Sequence, residues 1–186
     1  MNKSYETSRL LLKAGDPVLA DPVFTYLSKN SEDFDKWDLF SRDESLTFEA
    51  VKKELASERR LFNKGEAVRY YIFLKENPEQ IIGNISFINI NICEPGVCRI
   101  GYKIDTDFRR LGYCFEAATF LMPLVSSEFG LTRIDADITP SNTASKNLIH
   151  KLGFHFVCNV PLSCRKNATV ESCQRYSFRV PLNNTR

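Results

Sequence analysis

Apolar residues repeat with two periods along this chain, and the switches between them mark out its elements. Leu10, Leu11 and Leu12 form a short run behind Thr7 and Ser8, which predicts a first strand over residues 9–13, and a helical stretch over 22–28 follows. Trp37 and Phe40 stand in a less regular polar region, where a lone Trp reads as a loop anchor or cleft wall. From Thr47 the spacing turns helical: Phe48, Val51, Leu55 and Phe62 recur near the helical period, Thr47 is placed to cap, Glu49 suits the positive first turn, and Gly65 follows the end. Residues 69–74 and 81–92 are rich in β-branched and aromatic side chains and flank Glu76-Asn77-Pro78-Glu79, so they predict a hairpin. A third strand over 97–104 follows the Glu94-Pro95-Gly96 turn.

Beyond it the pattern becomes strand, tight loop and helix. A helix is predicted over 113–129, with Pro123 expected to kink or shorten it. Then come a strand over 133–138, a helix over 143–152 ended by Gly153, and strands over 154–160 and 175–181. No internal repeat and no linker divides the chain. The sum is a single α+β domain over residues 1–186, its first half a mostly antiparallel sheet and its second half built of β-loop-α and β-α-β units.

Composition narrows the partners. A chain of 186 residues, 43% apolar and 26% charged, is enough for one substantial core. Its 25 basic and 23 acidic residues give +2, so bulk charge predicts neither a nucleic-acid nor a membrane partner, and any charged ligand must meet a local patch. Cys93, Cys98, Cys114, Cys158, Cys164 and Cys173 include no CxxC pair, and His150 and His155 are the only histidines. That spacing is poor for zinc, so no metal is expected, and the thiols read as reduced and mostly buried. With no secretory h-region at the start and no run long enough to span a bilayer, a cytoplasmic protein is expected.

The candidate chemistry lies in residues 100–117, Ile-Gly-Tyr-Lys-Ile-Asp-Thr-Asp-Phe-Arg-Arg-Leu-Gly-Tyr-Cys-Phe-Glu-Ala. A strand that feeds a basic loop and then a helix start makes an anion site, because first-turn N–H groups are unpaired and the helix dipole is positive there. Arg109 and Arg110 add charge, and Gly112 lets backbone approach a ligand. Further on, residues 140–154 read Pro-Ser-Asn-Thr-Ala-Ser-Lys-Asn-Leu-Ile-His-Lys-Leu-Gly-Phe.

With Thr7-Ser-Arg-Leu-Leu-Leu at the start, these segments resemble the GCN5-related N-acetyltransferases (GNAT), and within them the RimJ/RimL-like type that acetylates ribosomal-protein N-termini. The resemblance implies a mixed sheet that splays where the family's fourth strand leaves its fifth. It implies acetyl-CoA as cosubstrate and an amine acceptor, either a protein N-terminus or a small amine. The N–H groups of Arg110, Leu111, Gly112, Tyr113 and Cys114 would cradle the CoA pyrophosphate with Arg109 near the phosphates. Ile104 and its neighbours would hold the acetyl and pantetheine groups by backbone hydrogen bonds. Asn142 matches a residue on the pantetheine arm and Ser145 one beside the sulfur.

Three positions depart from the pattern. Arg110 replaces the first loop glycine, which would strain it or change the loop's path if that position has positive φ, and Asp107 replaces a Gln or Arg. Arg99 replaces a Glu before Ile-Gly-Tyr, removing a carboxylate from near the acceptor. A neutral amine must attack, so an α-amine of pKa about 8 needs less help than a lysine of about 10.4. The leaving thiolate needs a proton; Ser145 is the candidate donor, with Tyr102 or Tyr113 behind it, and Ser145 and Tyr102 are the catalytic candidates. Asp105, Glu94 and Glu171 are weak candidates for a base, each reading better as a surface carboxylate. Glu116 reads as structural, His150 and His155 as packing or surface groups, and Cys114 as a small packing residue, which favours direct transfer over a ping-pong route. A non-catalytic acyl-CoA-binding domain is the alternative, and monomer and homodimer both remain open.

Overall fold

The computed structural model describes residues 1–37, 46–161 and 172–181. Within them, β1 (Ser4–Glu6), β2 (Leu10–Ala14), β3 (Val68–Leu74), β4 (Asn77–Ile88), β5 (Val97–Ile104), β6 (Arg133–Ile138), β7 (His155–Val160) and β8 (Cys173–Arg179) form one sheet in the order β1-β2-β3-β4-β5-β6-β8-β7. All neighbours are antiparallel except β5 and β6. Helices α1 (Ala20–Asp35) and α2 (Phe48–Lys64) pack on one face, and α3 (Tyr113–Phe129) and α4 (Thr143–Lys151) on the other.

Alternation along the strands divides two cores. Leu10, Leu12, Tyr70, Ile72, Ile85, Phe87 and Ile134 face α3 and α4 with Ala117, Leu121, Val125 and Ile149. Tyr71, Phe73 and Ile81 face α1 and α2 with Val23, Leu27, Val51 and Leu55.

Several elements fall where their local signals put them. Thr47 Oγ1 accepts the Ala50 amide at 3.2 Å, and Gly65 ends α2 at φ 70°. β5, α3 and β6 have the expected limits.

Four expectations are corrected. α1 runs to Asp35 instead of stopping near 28, because the polar residues of its second half are held by tertiary partners. The hairpin turns at Lys75-Glu76, so Asn77 and Pro78 already belong to β4; the register jumps there from Leu74↔Asn77 to Phe73↔Ile81, and an amide-free Pro is tolerated in the interrupted ladder. β4 ends at Ile88, since Asn89 and Asn91 take φ of 54° and 56°. Pro123 does not shorten α3: it lies on the exposed side, where water can satisfy the carbonyl that lacks its amide partner. The short β1, with one half-buried residue, has too little pattern to be read locally and forms by pairing with β2.

Residues Val97, Cys98 and Arg99 pair with Arg133, Ile134 and Asp135, and there the ladder between β5 and β6 ends. β5 continues beside β4 as far as Ile104, and β6 continues beside β8 as far as Ile138. The sheet is therefore split between residues 100–104 and 136–138, the splay expected of the fold.

Candidate active site

The loop from β5 to α3 begins with Asp105, whose side chain is 1% exposed. It accepts from Lys29 Nζ at 2.9 and 3.0 Å, from Asn30 Nδ2 at 3.1 Å and from the Asp107 amide at 3.0 Å. Burial pushes this carboxyl up, but Lys29, the Asp107 amide and Asn30 outweigh it and hold it below the ordinary carboxylate range. Asp105 is thus a buried anchor and not a surface carboxylate, and an ionised, fully engaged carboxylate is a poor base. Lys29 also donates to Asp107 at 2.6 Å, and Arg109 makes a bidentate ion pair with Asp33. The second half of α1 therefore grips the loop, and the Arg109 side chain is turned onto α1.

Arg110 keeps the path a glycine would take: its φ is 62°, and that of Gly112, just before α3, is 82°. Left-handed backbone costs a non-glycine residue about 1–2 kcal/mol, so the loop carries strain at Arg110. Opposite this turn lies Arg9, which sequence reasoning missed. Its Nη1 donates to the Leu111 carbonyl at 3.1 Å, and its guanidinium lies 4.5 Å from the centre of the Tyr113 ring. Glu116 holds it there, accepting from Thr7 Oγ1 at 2.6 Å, the Arg9 amide at 2.9 Å and Arg9 Nε at 2.7 Å. Thr7-Ser-Arg-Leu was legible as a motif; that it buttresses the loop was not, because the contact spans more than half the chain.

Tyr102 and Ser145, the two catalytic candidates, meet: their hydroxyl oxygens are 2.6 Å apart, and Tyr102 Oη also donates to the Ser145 carbonyl at 3.2 Å. Asn142 sets the serine, its Oδ1 accepting the Ser145 amide at 3.0 Å as the cap of α4. Burial raises the Tyr102 phenol well above its usual value, and the bond to Ser145 only partly opposes this, so the two hydroxyls stay neutral. Cys114 is buried, which pushes its thiol up to about 12 despite its place at a helix start. That suits packing and not nucleophilic attack. Tyr113 is engaged by Arg9. His150 is exposed with its ring against Tyr176 at 5.3 Å, and His155 is exposed on β7. Glu94 pairs with Arg133 at 2.6 Å. Phe40, Cys164 and Glu171 lie outside the described residues.

The residues of β5 divide between the two faces of the split. Ile100, Tyr102 and Ile104 look toward α3 and α4, and Arg99, Gly101 and Lys103 look the other way. A hydroxyl pair thus lies on one side of the gap between the parallel strands, and a strained loop before a helix start, chemically suited to an anion, lies at its end.

The acetyltransferase (GNAT) domain profile matches residues 9–155. The chain belongs to the GNAT family of acetyltransferases. Among curated relatives, this GNAT enzyme is 27% identical over 128 residues to the probable N-acetyltransferase YjcK of Bacillus subtilis, covering 69% of this chain and 70% of that one. It is 26% identical over 148 residues to the [ribosomal protein uS5]-alanine N-acetyltransferase of Escherichia coli, covering 80% and 76%. Among solved structures, the ribosomal-protein-S5-alanine acetyltransferase of Vibrio fischeri superposes with a TM-score of 0.86 at 21% identity, covering 96% of this GNAT chain and 97% of the other. No described helix of the enzyme is long and apolar enough to cross a membrane.

Proposed function

We propose that this enzyme transfers the acetyl group of acetyl-CoA by direct attack of an α-amine, that of a protein N-terminus. The observation that carries the reading is the Tyr102–Ser145 hydroxyl pair at 2.6 Å, set beside the split between β5 and β6. In this reading the pyrophosphate rests on the N–H groups of residues 110–114, with Arg9 as the nearby cation while Arg109 is held by Asp33 on α1, and the pantetheine arm follows the open edge of β5 near Ile104 past Asn142. The neutral amine attacks the thioester carbonyl carbon, and a β5 amide, fixed in the sheet, stabilises the oxyanion. As the C–S bond breaks, Ser145 gives its proton to the thiolate and recovers one through Tyr102, while the amine's surplus proton leaves to solvent.

An α-amine of pKa about 8 is about one quarter neutral near pH 7.5, against well under one per cent for a lysine, which fits a site whose described carboxylates are engaged in ion pairs. The name of the E. coli relative, an alanine N-acetyltransferase of a ribosomal protein, supports the same acceptor class. In this reading the enzyme works in the cytoplasm.

Free-thiol release from acetyl-CoA tests the proposal, with peptides bearing a free N-terminus compared with N-acetylated peptides that retain a lysine. CoA release is expected with the first set only. Thermal stabilisation by acetyl-CoA without turnover of any amine would leave the non-catalytic acyl-CoA-binding reading in its place.

A further inference from the structure

We infer that Arg99 is an acceptor-specificity residue, selecting amines that carry a carboxylate close behind them; the inference rests on the acetyl-transfer reading above. Where α1 and α2 cover β3 and β4, their face of the sheet is apolar; over β5, β6 and β8 the same face is charged, made by Arg99, Arg133, Asp135, Asp137, Arg175 and Ser177. Asp135 and Asp137 form its floor, with side chains 4% and 3% exposed. Each is matched: Asp137 accepts Arg175 Nε at 2.7 Å and Nη2 at 2.9 Å, and Asp135 accepts Arg133 Nε at 3.0 Å and Ser177 Oγ at 2.6 Å. Arg133 is further occupied by Glu94.

Among the described residues, Arg99 is the surplus charge. Its Nη1 reaches Asp137 Oδ2 only at 3.6 Å, beyond hydrogen-bond distance, on a carboxylate that Arg175 already holds with both of its oxygens. Its side chain remains 35% exposed. As the last β5 residue paired with β6, Arg99 stands at the apex of the split, on the face opposite Tyr102. An amine that enters the gap from this face leaves its following atoms over Arg99, and a planar guanidinium with donors to spare is suited to a carboxylate there. Chemically, the acceptor has an acidic side chain or a free carboxylate within a residue or two of the amine.

The test compares kcat/KM for Ala-Asp-Glu-Phe-amide and Ala-Lys-Lys-Phe-amide, with free alanine against alaninamide as a second arm to separate a side-chain carboxylate from an α-carboxylate. The acidic peptide should be favoured about 10–100-fold, and Arg99→Glu should reverse the order while acetyl-CoA affinity is unchanged; Arg99→Gln, nearly isosteric, should abolish the preference. Equal kcat/KM within both pairs of acceptors, or a preference that survives in both variants, overturns the inference. If no amine is turned over, the acetyl-transfer reading falls instead, and calorimetric binding of the same peptides in the presence of CoA decides this one. Tighter binding of the acidic peptide that Arg99→Glu removes supports it, and equal binding overturns it.

Discussion

Arg9 and Glu116 are joined by a 2.7 Å ion pair that ties the start of β2 to the first turn of α3. Because Glu116 also accepts from Thr7 and from the Arg9 amide, one carboxylate fixes both the strand start and the helix whose N-terminus follows the strained loop. Glu116 is also favoured by the helix dipole, but its reach to Thr7 and Arg9 makes it a clip across the molecule as well.

Glu116→Gln should cost about 1.5–3 kcal/mol, the range for hydrogen bonds to a charged group, and lower the melting temperature by roughly 4–10 °C for a domain of this size. Burial raises the Glu116 carboxyl, and the bonds from Thr7 and Arg9 more than offset this, leaving it below its ordinary value. The stability it gives is therefore complete above the usual carboxyl range near pH 4.3 and lost as pH falls through the lower folded value. Thermal melts of wild type and Glu116→Gln at pH 7 and at pH 3–4 check this; the gap between them should narrow at the acid end.

How far the sequence foretold this architecture depends on where each residue's partners lie. β5, β6 and α3 were legible because their patterns are complete within a few turns of chain, and Tyr102 and Ser145 because both sit in ordered motifs. The end of α1 was not, since Lys29, Asn30 and Asp33 look like loop residues until Asp105 and Arg109 arrive from far along the chain. Arg9 was hidden for the same reason. Asp105 was misread because burial of an acid between a lysine and an asparagine leaves no local signature. The positive φ of Arg110 was anticipated only through comparison with a glycine at that loop position.

The hydroxyl pair predicts a separation of rate from affinity. Ser145→Ala should reduce kcat about 100-fold, within the range for a positioned acid, with acetyl-CoA affinity altered no more than about threefold. Tyr102→Phe should have a smaller effect on kcat, because Ser145 keeps its place through Asn142. Burial keeps the phenol protonated, so kcat/KM should rise with deprotonation of the acceptor near pH 8 and show no descending limb below about pH 10. A pH–rate profile of the two variants and wild type checks the order and the shape.

Arg110 offers a stabilising change at the cofactor loop. Replacing it with Gly relieves about 1–2 kcal/mol of left-handed strain and adds about 0.4–1 kcal/mol of unfolded-state entropy. The net gain should be about 0.5–1 kcal/mol, a rise of roughly 1–4 °C. Since the backbone N–H is retained, acetyl-CoA should bind Arg110→Gly as well as wild type, whereas Arg110→Val should melt lower and bind more weakly. Calorimetry on the three proteins separates backbone conformation from side-chain charge: if the charge matters more, the Gly variant loses affinity too.

The Lys29–Asp105 pair is asymmetric, and the asymmetry fixes the sign of a pH effect. Lys29 is 41% exposed and Asp105 is 1% exposed. Losing Asp105 leaves a lysine that water and Asp107 can serve, so Asp105→Asn should cost about 1–2 kcal/mol. Losing Lys29 leaves a buried carboxylate with only neutral donors, Asn30 and the Asp107 amide, and Lys29→Met should cost about 3 kcal/mol. In wild type the depressed carboxyl means that stability falls as pH drops through its folded value. In Lys29→Met burial is no longer opposed by the ammonium, the carboxyl rises above its ordinary value, and protonating it relieves the strain. That variant should therefore gain stability relative to wild type as pH falls from neutral toward the ordinary carboxylate range. The double variant, with no buried charge left, should recover part of the loss and show neither trend. Urea melts of the four proteins across this pH range measure the coupling directly. Parallel pH curves for wild type and Lys29→Met would mean that Asp105 is hydrated and does not anchor the loop.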